Sequence, residues 1–292
     1  VPYCGAFPML DGEGKPPTSS RLLVLSKTAL ATTLRCQRRA AWKHLHHLPE
    51  DDAPEEADNH GAGPGSAAHE LLAELVLAPD PDAAMAELLD IVSPVDRAFA
   101  EEMALRHLRL EASTSGHPIV YRRSEVTAGV CFDMRDVVDT PTVVAVLARL
   151  DAIGRDSEGT PVVVEHKTGR SAIEVEADLY AVVGWHLARR RDSPPGLAVH
   201  HHWLGTGQDA SCEQSAYSPD EIAAATIRIR SIAAVAATWD PADASSPPPR
   251  AEYDSYCAAC PYERRCRRHG GPTPSASSDP MGATAHRDRI ER

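Results

Sequence analysis

Hydrophobic and polar positions change their period along the chain. From Ser26, apolar residues at Leu30, Leu34, Ala41 and Leu45 keep a rough helical spacing, and Ser26 can cap that helix. Residues 49–66 replace the pattern with acids, glycine and proline and predict a loop. Three helical stretches follow, over 66–77, 81–92 and 94–112. Pro81 and Pro94 sit near the starts of the last two, where a missing N–H is tolerated. Between 119 and 204 the pattern turns to β-branched runs. Strands are predicted over 121–130, 142–154, 161–166 and 196–204, with turn signals such as Asp156-Ser157-Glu158-Gly159 between them. A helix over 175–191 separates the last two strands, and Ser218 can cap a further helix over 219–239. Helices, a small sheet with one crossover helix, then another helix make an α/β core with a helical elaboration.

Residues 1–23 are rich in glycine and proline and are expected to be disordered. The folded region is expected over 24–239. A proline-rich linker at 240–250 leads to a cysteine cluster at 251–269, and 270–292, poor in apolar residues, read as a disordered tail.

Composition narrows the chemistry. The formal net charge of −12 over 292 residues argues against broad coating of nucleic acid, which needs many phosphate contacts from lysine and arginine. Local basic clusters remain, at Arg35, Arg38, Arg39 and Lys43, at Arg122 and Arg123, at Arg189, Arg190 and Arg191, and at Arg264, Arg265, Arg267 and Arg268. Lysine occurs only at 15, 27, 43 and 167. No apolar run reaches the roughly 18 residues of a membrane span, and the first residues carry no basic lead-in, so a cytoplasmic protein is expected. In that reducing compartment, seven cysteines suggest metal binding or chemistry before disulfides.

Two strand-like segments carry the candidate chemistry. The first presents Asp151 and the second, VVVEHK, presents Glu165 and Lys167. Residues i and i+2 of a strand share a face, so Glu165 and Lys167 point together and His166 points away. Two carboxylates brought together bind a hard cation such as Mg²⁺ or Mn²⁺, and a lysine beside them can stabilise a phosphodiester in transition. An E-x-K triplet alone is equally a surface ion pair on an edge strand.

The string Ala148-Arg149-Leu150-Asp151, followed by a strand ending Glu165-His166-Lys167-Thr168-Gly169, resembles the RecB-like branch of the PD-(D/E)xK nucleases. Gly65-Ser66-Ala67-Ala68-His69 resembles that branch's upstream Gly-x-x-x-His helix. The resemblance implies a restriction-endonuclease-like core, with a small mixed sheet flanked by helices. It implies His69, Asp151 and Glu165 as metal ligands, helped by the His166 backbone carbonyl, and Lys167 as the catalytic lysine. Where the branch tends to carry Gln-x-x-x-Tyr, this chain has Glu176 and Tyr180, which would face the substrate; a carboxylate there repels phosphate unless it is paired. The implied activity is a metal-dependent DNA exonuclease working on single-stranded ends, in repair, recombination or CRISPR adaptation. The alternative is a non-catalytic DNA-binding subunit. No P-loop is present, so unwinding would fall to a helicase partner; a CRISPR integrase is the other partner implied.

Cys257, Cys260 and Cys266 give C-x2-C-x5-C, and Cys36 lies far upstream in LRCQRRAAW. Four thiolates suit a [4Fe–4S] cluster, and the resemblance implies one that ties Cys36 to the later trio; Arg35, Arg38, Arg39 and the arginines at 264, 265, 267 and 268 are read as guiding the strand nearby. A local zinc set of Cys257, Cys260, Cys266 and His269 is the alternative. Cys4, Cys131 and Cys212 have no evident partners. His200, His201 and His202 alternate along a strand and are expected to line a surface or a groove facing DNA; His44, His46 and His47 are read the same way.

Overall fold

The computed structural model describes residues 21–51, 64–113, 118–169, 175–188, 195–205, 209–242, 245, 248, 257 and 260–269. The expected disordered segments at 1–20 and 270–292, Cys4, Lys15, the Arg189–Arg191 cluster and most of the linker lie outside the described residues. The described residues fall into two compact units, one drawn from 21–31 and 64–238, the other from 32–51 and 239–269.

The first unit is built on a six-stranded mixed sheet. Its long central strand β3 (Thr142–Arg155) pairs antiparallel along its whole length with β2 (Val120–Asp133). On its other edge, two strands share it. β1 (Arg21–Ser26) runs parallel to its first half and β4 (Pro161–Lys167) runs antiparallel to its end. β5 (Leu197–Trp203) then pairs parallel with β4, and β6 (Ser211–Tyr217) pairs antiparallel with β5. Every residue of β4 from Pro161 to His166 is buried, as an interior strand covered on both faces requires.

Helix α6 (Glu176–Ala188) makes the parallel crossover and packs on β4 and β5. A Cβ on Gly184 would meet Val163 Cγ2 at 2.5 Å, so a side chain there would force the helix off the sheet. α7 (Pro219–Ala237) packs on α6 and starts with a full capping box: Ser218 accepts from Glu221 N–H and Glu221 accepts from Ser218 N–H. On the opposite face lie α3 (Pro64–Leu75), α4 (Pro81–Ile91) and α5 (Arg97–Ser113), joined by Leu71, Leu72, Leu75, Met103 and Leu110. Among the described residues no helix is long and apolar enough to cross a membrane.

The sequence expectations differ from the fold at both ends. β1 occupies residues read partly as disordered and partly as the start of a helix; six residues of RLLVLS are too few to show a period, and β3 supplies the partner that makes them a strand. The single helix expected from Ser26 is broken. α1 (Lys27–Arg35) ends at Cys36, whose backbone is extended, and α2 (Gln37–Ala40) and a π-helical turn (Ala41–Leu45) follow. β6 was not expected, because SCEQSAY is largely polar and belongs to an edge strand with little to bury.

In the second unit, the π turn's Trp42 packs against Tyr262, with ring centroids 5.9 Å apart. Tyr262 donates to the Leu48 carbonyl at 2.9 Å, Asp51 N–H donates to the Pro261 carbonyl at 2.7 Å, and Arg265 N–H donates to Asp51 at 3.1 Å. These bonds hold the short α8 (Glu263–Arg268) against the 32–51 segment.

Candidate active site

The sheet forks at residues 148–151. β1 leaves β3 after Leu147, and β4, arriving from the other direction, leaves it before Asp151. Strands that part leave backbone groups without ladder partners and open a cleft lined by whatever follows them. Here Lys27 follows β1, while Glu165 and Lys167 end β4. Asp151 fills part of the lost ladder: its Oδ2 accepts from His166 N–H at 2.8 Å.

An open cavity of about 580 Å³ occupies the fork, lined by Lys27, His69, Glu125, Arg149, Asp151 and Glu165 among others. His69, reaching in from α3, places Nδ1 3.3 Å from Asp151 Oδ2. That hydrogen bond holds the imidazole above its ordinary range against the effect of burial. The donors that lie within 4.8 Å of one another are those of His69, Asp151 and Glu125. Glu125 was not anticipated. It lies between the pairs Ser124–Ala152 and Val126–Leu150, hence opposite Asp151, and its φ of 51° is in the left-handed region. A side chain in that region costs on the order of 1–2 kcal/mol. Arg149 pairs with the Glu125 carboxylate.

Glu165 lines the same cavity but is tied into a second cluster. Its Oε1 accepts from Lys27 at 3.0 Å and from Lys167 at 2.9 Å, and its Oε2 accepts from Tyr180 at 2.7 Å. Burial, and after it the Asp151 charge, push the Glu165 carboxyl above the ordinary range despite the two lysines. Glu176 completes the cluster. Both lysines pair with it, Lys167 at 2.6 Å, and His201 Nε2 lies 3.6 Å away. Burial works to raise the Glu176 carboxyl, but His201, Lys167 and Lys27 beside it prevail and hold it well below the carboxylate range. Two acids and two ammonium groups thus balance in charge.

This cluster corrects the reading of Glu176 and Tyr180 as substrate contacts. Both are buried, Glu176 at 1% exposure and Tyr180 at 0%, and both turn inward to Glu165 and the lysines. Lys27 is the second group that sequence reasoning missed. Its signal was its rarity, one lysine among four, placed at a strand-to-helix junction. The three adjacent histidines are also corrected: His200, His201 and His202 are buried at 7%, 6% and 2% exposure and line no exposed groove.

In the second unit Cys36 stands at the start of α2. Burial raises the Cys260 thiol, and Cys36 and Cys257 are among the groups whose charge it feels. Arg38, read as a guide for a strand, is turned inward. It donates to the carbonyls of Pro248 and His269, at 3.1 and 3.3 Å, and lies 3.7 Å from Cys266 Sγ. Arg35 is exposed and Arg39 half-buried.

Curated proteins gave no match. A solved structure described as "Crystal structure of SSO0001" is similar at 16% identity, covering 84% of this chain and 86% of that one, with a TM-score of 0.36. The family described as the PD-(D/E)XK nuclease superfamily matches over residues 24–267, a span that holds the fork, His69, both acids of the expected pair and all four cysteines at 36, 257, 260 and 266. The chain belongs to the PD-(D/E)XK nuclease superfamily.

Proposed function

We propose that the protein is a Mg²⁺- or Mn²⁺-dependent deoxyribonuclease acting as an exonuclease on single-stranded ends. The observation that carries this reading is the meeting of His69, Asp151, Glu125 and Glu165 around one open cavity, with the Lys167 ammonium beside Glu165. The donor set fits a hard cation: carboxylate oxygens and one imidazole, with burial first and the Asp151 charge second pushing Glu165 above its ordinary range. His69, Asp151 and Glu165 would hold the cation, with the His166 carbonyl on the same stretch of backbone and Glu125 as a further carboxylate. When bound, the cation supplies Lewis-acid polarisation of the phosphodiester and lowers the pKa of water.

The remaining work falls to the chain. Lys167 keeps its ammonium where negative charge builds on the phosphoryl oxygens. Lys27 shares the charges of Glu165 and Glu176, so that Lys167 is not neutralised alone. Tyr180 and Glu176 position both lysines from below. Because Glu176 is paired and buried, it offers no free carboxylate to a phosphate, which removes the main objection to catalysis and favours an enzyme over a non-catalytic subunit.

Cys36, Cys257, Cys260 and Cys266 would hold a [4Fe–4S] cluster within the second unit. The influence of Cys36 and Cys257 on the Cys260 thiol supports it. The local zinc set is less well supported, since His269 packs its ring 5.9 Å from Trp42.

End-labelled single-stranded DNA incubated with Mn²⁺ or Mg²⁺ tests the catalytic reading. Wild type is expected to release nucleotides from an end and Lys167→Ala to do so about 10²–10³-fold less efficiently; equal inactivity of the two proteins would overturn it. Absorbance at about 400 nm in anaerobically purified protein, lost in Cys36→Ser, tests the cluster.

A further inference from the structure

Behind the acid face of the sheet lies a second group of metal-ligating side chains, unused by the chemistry above. His107 on α5, His166 on β4 and His202 on β5 bring their rings together on the side facing the α3–α5 layer. The ring centroids are 5.0 Å apart for His107 and His166, 5.6 Å for His107 and His202, and 5.8 Å for His166 and His202. One ring nitrogen from each lies within 4.8 Å of the other two. All three residues are 2% exposed.

Each ring also keeps a buried nitrogen with no hydrogen-bond partner: Nδ1 of His107, Nε2 of His166 and Nδ1 of His202. A buried polar atom left unpaired costs about 1–3 kcal/mol. Three such atoms, on rings from three separate elements whose donors lie within 4.8 Å of one another, are what a missing cation would explain.

We infer that His107, His166 and His202 form a second, structural metal site that takes Zn²⁺. Imidazole nitrogens suit a borderline ion such as zinc, whereas Mg²⁺ and Mn²⁺ prefer the oxygen donors at the fork. Zinc–nitrogen bonds of about 2.0–2.1 Å in a tetrahedron separate the donors by about 3.4 Å, which small rotations of these rings reach. Glu111 stands one helical turn after His107 and supplies the fourth, anionic donor. Its Oε1 is 3.8 Å from His202 Nδ1 and accepts a hydrogen bond from Tyr121 at 2.7 Å. Such an outer partner orients a metal-bound carboxylate. The ion would pin α5 to two neighbouring strands. It would also fix His166, the residue between Glu165 and Lys167, and with it the end of β4 that enters the fork.

The test is zinc content of the full chain, by elemental mass spectrometry, after gel filtration in excess Mg²⁺. Wild type is expected to carry about one zinc per chain that Asp151→Asn and Cys36→Ser retain and that His107→Gln and His202→Gln lose by about tenfold or more. Wild-type content in the histidine variants, or none in wild type, would overturn the inference. Should those variants fail to fold, anomalous diffraction at the zinc edge from wild-type crystals decides. A peak among the three rings supports the site. No peak, or one at His200, His202 and Cys212 or at the cysteines of the second unit, refutes it.

Discussion

The two faces of β4 and β5 bury ionisable groups to the same depth by different means. On the α6 face, Glu165 and His201 are 5% and 6% exposed; on the α5 face, His166 and His202 are each 2% exposed. The first face keeps its charges and answers each with a partner: Glu165 and Glu176 with Lys27 and Lys167, bridged by Tyr180. The second face leaves one nitrogen of His107 and one of His166 without a hydrogen-bond partner, and burial holds both rings below the ordinary range. The difference follows from the residue types. A carboxylate or ammonium in an apolar interior must be paired or lose its charge at a large cost, whereas an imidazole becomes neutral within reach of ordinary pH. Strand alternation then sorts the two chemistries, one residue apart, onto opposite faces.

The largest effect is expected where the paired face does chemistry. Lys167→Ala should lower kcat/KM on single-stranded DNA by about 10²–10³-fold, the loss expected when one preorganised cationic donor is removed. Lys27→Ala should cost less activity, since Lys27 stands between the two acids and Lys167 remains. Steady-state rates for the two variants at saturating Mg²⁺ check the ranking. A larger loss in Lys27→Ala would mean that the roles of the two lysines are exchanged.

Next comes the stability of the pairing itself. Glu176→Ala leaves Lys27 and Lys167 sharing one carboxylate in a buried site. Removal of one partner from a buried network typically costs about 3–5 kcal/mol. Urea unfolding should show a loss in that range, and Glu176→Gln, which keeps the shape and some hydrogen bonding, should recover part of it. A loss below about 1 kcal/mol would place the cluster in the class of weak surface pairs.

These two faces also mark what the sequence could and could not disclose. Asp151, Glu165 and Lys167 were legible because strand alternation and a turn place them together, and the outcome depends on a period of two. His69 was legible through its place upstream in Gly65-Ser66-Ala67-Ala68-His69. Lys27 and Glu125 were not, since their positions depend on which strands pair with β3 and in what register. Neither β1 nor β6 declares itself by pattern, because one is short and the other is polar along an exposed edge. The burial of the three adjacent histidines was hidden by the same gap: with β6 unseen, β5 reads as an outer strand, and its histidines read as surface.

The unpaired face predicts a pH dependence of its own. Burial holds His107 down to about 4, against 6.5 for the free group. The unfolded chain therefore takes up this proton first, and protein stripped of metal should lose stability as pH falls from 6.5 towards 4. The loss from His107 is at most about 3 kcal/mol, and it is complete below the folded value. Glu176 acts in a different window. It is held low in the fold, so its contribution is intact above the ordinary 4.5 and is lost only further into acid. Unfolding free energies measured in chelator across this range should show two separate declines. His107→Phe should shrink the upper one alone, its remainder belonging to His166 and His202, which burial also holds low; an unchanged upper decline would mean that His107 takes no part in it.

The smallest effect is expected from a pair of the same chemical types outside the interior. Arg228 on α7 grips Asp178 on α6 with two hydrogen bonds, at 2.6 and 2.8 Å, as short as the contacts of the buried cluster. Its side chain is 55% exposed, however, and water competes for both charges. Arg228→Ala should cost only about 0.2–1 kcal/mol, and less in high salt. If geometry alone set the strength of these pairs, this variant would lose as much as Glu176→Ala. A loss near 3 kcal/mol would therefore break the argument that burial, through the absence of competing water, makes the acid–lysine cluster strong.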